Sequence, residues 1–121
     1  KKSSKSSRAA KVASPKNGIS EGMIAYVNSL VAGIEKTYSK PSYNVNPNDV
    51  NMYMMDTSTL ISMILFSKKN KVLNWMTKGS GRDLGERARK IFEISKTWDR
   101  YQNIASPGHK KLIDDAIAAL K

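Results

Sequence analysis

Few residues of the chain are of the types that perform catalysis, and their spacing argues against an active site. His109 is the only histidine, and there is no cysteine. His109 therefore lacks a second His or a Cys with which to bind a metal, and it lacks the partners of a catalytic triad. It follows a predicted helix cap by three residues, so we expect it to face solvent. Asp114 and Asp115 are adjacent, and neighbours on a helix do not face each other, so a paired acid and base is not expected.

The other candidate groups also have simpler explanations than chemistry. Asp49 and Asp56 lie two turns apart if one helix joins them, but helix capping explains each of them. Residues 78–82 read KGSGR, which lacks the GxxxxGK(S/T) spacing of a phosphate-binding loop and follows a predicted helix instead of a strand. A helix–helix turn is the better interpretation, although its backbone amides between Lys78 and Arg82 are suited to hold one nucleic-acid phosphate. We predict that the protein is not an enzyme and has no metal or cofactor.

The positive charges are the strongest functional signal, and they form two groups. The chain has 21 Lys and Arg against 10 Asp and Glu, a net charge of +11. Six of the basic residues lie in the first sixteen positions, which contain no acid, and residues 68–100 hold ten basic and four acidic residues. A basic segment that cannot fold alone gains order from a polyanion, because each Lys or Arg that neutralises a phosphate releases a counterion. We therefore predict nucleic-acid binding; the alternative for the first group is a solvated extension.

The second basic group is predicted to lie on a helix. Arg89, Lys96 and Arg100 are spaced by seven and four residues, which predicts one face of a helix over residues 82–101. The alternative is a solvated face with intrahelical pairs such as Glu86–Lys90 or Glu93–Lys96. Taken together, the predicted nucleic-acid-binding residues are Lys1, Lys2, Lys5, Arg8, Lys11, Lys16, Lys68, Lys69, Lys71, Lys78, Arg82, Arg89, Lys96 and Arg100.

The elements that position these charges are predicted to be helices. Apolar residues follow helical spacing after Ser20, after Asp83 and after Ser106-Pro107, and no segment alternates like a strand. Asn48 or Asp49 is expected to cap a further helix, which residues 56–59 either interrupt or restart. The longest apolar run, residues 60–66, is expected to be mostly buried and is far shorter than the roughly 18 residues of a membrane span. The predicted fold is all-α, a small four-to-five-helix bundle over residues 19–121 preceded by a basic arm, residues 1–18.

Aromatic and methionine side chains are expected mainly in the core. Trp75, Trp98, Tyr101 and the other tyrosines lie within apolar stripes, so core packing is favoured over stacking on bases. Residues 52–55 contain more apolar side chains than one buried helix face requires. We therefore expect Tyr53 or Met54 to contact a neighbouring subunit, where adaptable Met and amphipathic Tyr are favoured. The alternative is an irregular segment that wraps the bundle.

The basic arm from Lys1 to Lys16, followed by a helical body from Ser20 to Lys121 in a cysteine-free chain, resembles the major coat proteins of filamentous and rod-shaped archaeal viruses. The resemblance covers the whole chain as architecture and includes no diagnostic motif. It implies that the arm wraps nucleic acid, with linear double-stranded DNA favoured, and that the bodies pack into a filament. It also implies a dimer with itself or with a related coat subunit, a possible outer lipid envelope with no transmembrane segment, and a virion assembled in the host cytoplasm.

Two other functions compete with a coat protein. The first is a cellular DNA-binding regulator of helix-turn-helix type, with the helix over residues 82–101 in a groove of the DNA. It requires a base-reading side chain at a helix start, which the sequence does not identify. The second is a matrix-type protein that binds an anionic membrane through its basic surface. Coating of nucleic acid by charge neutralisation and self-assembly is the function that the sequence favours.

Overall fold

The computed structural model describes residues 20–77 and 83–121, and these residues confirm the predicted all-α fold. They contain six helices and no strand. Four helices are long: α1 (Glu21–Tyr38), α2 (Pro47–Lys69), α4 (Leu84–Ser95) and α6 (Pro107–Leu120). Two are short, α3 (Asn74–Thr77) and α5 (Asp99–Ile104), and a single 3-10 turn, Ser42–Asn44, lies between α1 and α2.

Side-chain caps fix where three of the long helices begin. The Ser20 hydroxyl accepts a hydrogen bond from the Met23 amide at 3.1 Å, and Ser106 does the same for His109 at 3.1 Å, with Pro107 in the first turn. At α2, the Asn46 side chain accepts from the Asp49 amide at 2.9 Å while the Asp49 carboxylate accepts from the Asn46 amide. The cap of α2 is thus Asn46, and the expectation of Asn48 or Asp49 in that position is wrong, because Asp49 closes a capping box from the first turn.

The four long helices form a closed ring around one core. Helix α1 packs on α2 and α4, and α6 packs on the same two helices from the other side. The core is filled by aliphatic residues of all four helices together with Tyr53, Trp75, Phe92 and Tyr101. Burial of this apolar surface is the main stabilising term, at about 25 cal/mol per Å².

Polar contacts fix the helices relative to one another. The Arg87 guanidinium makes two hydrogen bonds to the Glu35 carboxylate, at 2.8 and 3.2 Å, and joins α4 to α1. Trp75 donates from its indole nitrogen to the Ser67 hydroxyl at 3.1 Å, which ties α3 to α2. At Gly33, a Cβ atom would lie 3.3 Å from a carboxylate oxygen of Asp56, as expected for a close helix contact.

Two sequence-based boundaries are corrected by the structure. Helix α2 runs without a break through residues 56–59, so Asp56 is not a cap; it lies half-buried beside α1, and burial raises its pKa. The helix predicted over residues 82–101 ends instead at Ser95, and α5 begins at Asp99. The turn between them directs Trp98 onto Tyr53, with ring centroids 4.6 Å apart, a tertiary contact that local periodicity does not encode.

Candidate nucleic-acid interface

Three lysines form an exposed cluster at the C-terminal end of α2. Lys68 and Lys69 are in the last turn of the helix, and Lys71 follows it; all three side chains are exposed. No acidic group among residues 20–77 and 83–121 pairs with any of them. We call these three residues the lysine cluster. Three unneutralised charges within one helix turn attract an anionic polymer.

The backbone of Lys71 is unusual for a residue with a side chain. Its φ is 60°, the left-handed region, and it is the only non-glycine residue with positive φ in the described parts of the chain. The Lys71 amide bonds the Lys68 carbonyl at 3.1 Å, and the Val72 amide bonds the Ser67 carbonyl at 2.9 Å, which together form a Schellman motif. Glycine is the usual residue at this position, because a Cβ atom there costs roughly 1–2 kcal/mol. Lys71 places a charge where stability alone favours glycine.

The start of the helical body lies at the same end of the bundle as the lysine cluster. Met23, in the first turns of α1, lines one groove with Phe66 and Ser67 near the end of α2 and with Trp75 of α3. Ser20, which joins residues 1–19 to the body, is therefore at the same end of the bundle as the lysine cluster. Glu21 supplies an acidic group at this end, in the first turn of α1, where the helix dipole favours a carboxylate.

Eight of the predicted binding residues lie outside the described parts of the chain. They are Lys1, Lys2, Lys5, Arg8, Lys11, Lys16, Lys78 and Arg82. The segment with the last two joins Thr77 of α3 to Asp83 before α4.

Arg89 and Lys96 are engaged with acids of the body. Arg89 donates to both oxygens of Glu86, at 2.8 and 2.9 Å, and to Glu93 at 3.1 Å. The hydrogen bonds to Glu86 raise the pKa of Arg89. Lys96 pairs with Asp114 of α6 at 2.7 Å. These pairs replace the suggested Glu86–Lys90 and Glu93–Lys96 pairs, and they leave little net positive charge on α4.

Arg100 is remote from the lysine cluster. It lies on α5 and lines a shallow groove with Val50 and Ile104. Val50 is in the first turn of α2, about 28 Å along that helix from Lys69 at 1.5 Å per residue. The expectation that Arg89, Lys96 and Arg100 share one helix face is wrong, because the chain turns after Ser95.

His109 is not the solvent-facing residue that the sequence indicates. Its ring is half-buried against Tyr101, with ring centroids 5.4 Å apart, and Nδ1 is 3.5 Å from the Ser58 hydroxyl. Burial lowers the pKa of His109 and raises the pKa of Tyr101 to about 12. Burial thus favours the uncharged form of both groups, and they pack as part of the bundle.

The residues expected at a subunit contact are also different. Tyr53 is fully buried, contacts the rings of Trp98 and Tyr101, and forms a hydrogen bond with the Ser95 hydroxyl. Met54 is half-buried against the core, so the exposed residues of this segment are Met52 and Met55. Tyr53 is seven residues before Leu60, so helical spacing places it on the same buried face of α2 as Leu60 and Ile64. Core packing of Trp75, Trp98 and Tyr101 is confirmed, but it is wrong for Tyr26 and Tyr43, which are exposed.

No helix within residues 20–77 and 83–121 is long and apolar enough to cross a membrane. The same residues contain no group of three or more His, Cys, Asp or Glu side chains placed to hold a metal ion. Comparison of the chain with protein-family models, with curated proteins and with solved structures gives no match.

Proposed function

We propose that this protein is a structural protein that coats nucleic acid by charge neutralisation and self-assembly, without catalysis. Linear double-stranded DNA is the favoured ligand. The architectural resemblance to coat proteins of filamentous archaeal viruses extends the proposal to a subunit of a viral nucleocapsid. In this proposal the basic arm and one end of the body bind the same polyanion.

The observation that carries the proposal is the joining of separate basic segments at one end of the body. The unpaired lysine cluster lies there, and the arm with its six charges is attached there through Ser20. Contacts to phosphates position a protein on nucleic acid but carry no sequence information. The one amide side chain within the cluster, Asn70, donates to the Phe66 carbonyl at 2.8 Å. A site that contacts phosphates through lysines is suited to coating, which requires little sequence preference.

The alternative regulator is less well supported by the geometry of α4. Its outward side presents Glu86 and Glu93 with Arg89 paired between them. A recognition helix in the major groove lies close to phosphates on both sides, where exposed carboxylates are repelled. We therefore favour the lysine end of the bundle over α4 as the surface that meets nucleic acid.

The test is a charge-removal experiment at the lysine cluster. We expect the triple change Lys68→Gln, Lys69→Gln and Lys71→Gln to weaken binding to unrelated DNA duplexes equally. The log–log slope of affinity against salt should become shallower by about 1 for each lysine. Fluorescence anisotropy over a salt series, on duplexes of different sequence, measures both quantities.

The matched control removes the same charge elsewhere on the body. Lys36, Lys90 and Lys121 are exposed and have no acidic partner among the described residues. Changed together to Gln, they should alter the slope much less than the cluster does. Equal effects of the two triple variants would show a diffuse field instead of a site, and a strong preference for one duplex would favour a regulator.

A further inference from the structure

An apolar strip lies on the solvent side of α2, opposite to the side that faces the core. Met52, Met55 and Phe66 on this side are 54%, 63% and 63% exposed, while Tyr53, Leu60 and Ile64 on the other side are fully buried. Thr59 and Ser62 lie between Met55 and Phe66 at the same helical spacing. We call residues 52, 55, 59, 62 and 66 the outer strip. A helix that is apolar on all sides is normally covered on all sides.

The outer strip is uncharged, although the chain carries a net charge of +11. Asp56 is turned towards α1, and the lysine cluster begins only after the strip ends. Nucleic acid binds charge, so it is a poor partner for this strip. A second copy of the chain is repelled elsewhere by its like charge, but along the strip it meets no charge and gains apolar contact.

The outer strip is complementary to a second, antiparallel copy of itself. Met52 and Phe66 lie seven residues on either side of Thr59, and small Thr59 and Ser62 at the middle allow two backbones to approach closely. In an antiparallel pair that crosses there, the methionine end of each copy covers the phenylalanine end of the other. A groove of about 270 Å³ beside Phe66, lined also by Met23, Met63 and Trp75, can accept a flexible methionine side chain.

We propose that two copies of this protein form an antiparallel dimer through the outer strips of α2, crossing at Thr59. The antiparallel arrangement keeps like charges apart: the two copies of Lys69 are separated by about 30 Å, at 1.5 Å per residue. That is several Debye lengths at physiological salt and close to the roughly 34 Å of one DNA turn. The dimer would place the two lysine clusters at this spacing along nucleic acid. Only that role rests on the proposed function; the dimer itself does not.

The dimer is tested on the full chain without nucleic acid, so that its failure is distinct from failure of DNA binding. The strip is short, so we expect a dissociation constant of about 10 to 100 µM, as for a small interface. In sedimentation equilibrium, the mass should rise from 13.4 kDa towards twice that value with concentration. Phe66→Ser should weaken the dimer at least tenfold. Leu112→Ser, at a similarly exposed apolar residue of α6, should leave it unchanged.

Single cysteines test the crossing point, since the chain has none of its own. Thr59→Cys should form a disulfide-linked dimer under mild oxidation. Phe66→Cys should not, because antiparallel copies hold the two thiols about 21 Å apart. Rapid linkage through both positions would indicate a parallel pair and overturn the proposal. A protein that stays monomeric up to about 1 mM, well above the expected constant, would also overturn it, whether or not DNA binds.

Discussion

Lys71 combines a cost in stability with a charge at the proposed site. Its left-handed backbone completes the Schellman motif that ends α2, a position where glycine is favoured. Residues held in sparsely populated conformations cluster at functional sites, and the inference runs from the observed conformation to the function. Lys68 and Lys69, by contrast, also suit the negative end of the helix dipole, which by itself explains their charge. Lys71 is therefore the most informative single residue of the lysine cluster.

We predict that Lys71→Gly makes the protein more stable and a weaker nucleic-acid binder. Removal of the Cβ atom removes its steric conflict with the left-handed backbone, so the free energy of unfolding should rise by about 0.5–1 kcal/mol. Loss of one phosphate contact should make the salt slope shallower by about 1. Urea denaturation and anisotropy titrations measure the two effects.

Lys71→Ala is the matched control for this prediction. It removes the same charge but keeps a Cβ atom at positive φ, so binding should fall as in Lys71→Gly while stability stays near that of the original protein. A glycine variant that is stabilised and binds DNA with unchanged affinity and salt slope would show that Lys71 does not contact phosphates.

Among the helices, α3 depends most on its neighbours. It has four residues, too few to be stable alone, and it is held by Trp75 in the core and by contact with α4. Gly85 permits that contact: a Cβ atom there would lie 3.1 Å from the Met76 carbonyl oxygen and 3.1 Å from the Thr77 methyl group. The backbone of α3 cannot move away from a Cβ atom at residue 85 without displacing Trp75 from the core.

We predict that Gly85→Ala lowers the free energy of unfolding by about 1–3 kcal/mol through this overpacking. Gly22→Ala in α1 is the control, because a Cβ atom there meets only the Ser20 hydroxyl at 3.9 Å. It should raise stability by up to about 1 kcal/mol, through the better helix propensity of alanine. Thermal or urea unfolding of both variants checks the sign of each effect. Stabilisation by Gly85→Ala would show that α3 does not pack as described.

The helices that sequence predicts well are those whose ends carry local signals. Ser20 and Ser106-Pro107 mark their helices unambiguously, because a cap and its amide partner are three residues apart. The turn after Ser95 contains no Gly or Pro and is fixed by the packing of Trp98 on Tyr53, so periodicity misses it. The ion pairs also differ in whether local sequence predicts them. Arg89 pairs within its own helix, whereas the Lys96–Asp114 pair and the Arg87–Glu35 pair depend on the tertiary fold.

Over the whole molecule, the fold separates charges that stabilise the body from charges left for a partner. Arg87, Arg89 and Lys96 each bind a carboxylate of the bundle. The lysine cluster does not, and it lies at the end of the bundle where the basic arm is attached. Composition alone predicts the arm and a nucleic-acid partner. It could not predict which basic residues of the second group are neutralised, because that depends on which helices pack together.

We predict that deletion of residues 1–16 leaves the helical body folded and removes most of the nucleic-acid affinity. Residues 20–77 and 83–121 supply the described core, so helix content by circular dichroism and the unfolding midpoint should change little. The arm has six positive charges, and at about 0.9 per phosphate contact its loss should make the salt slope shallower by about 5. An unchanged slope would assign binding wholly to the body, where the lysine cluster is the site to test next. Loss of helix content would show instead that the arm is part of the folded structure, and it would contradict the division of the chain into a binding arm and an independent bundle.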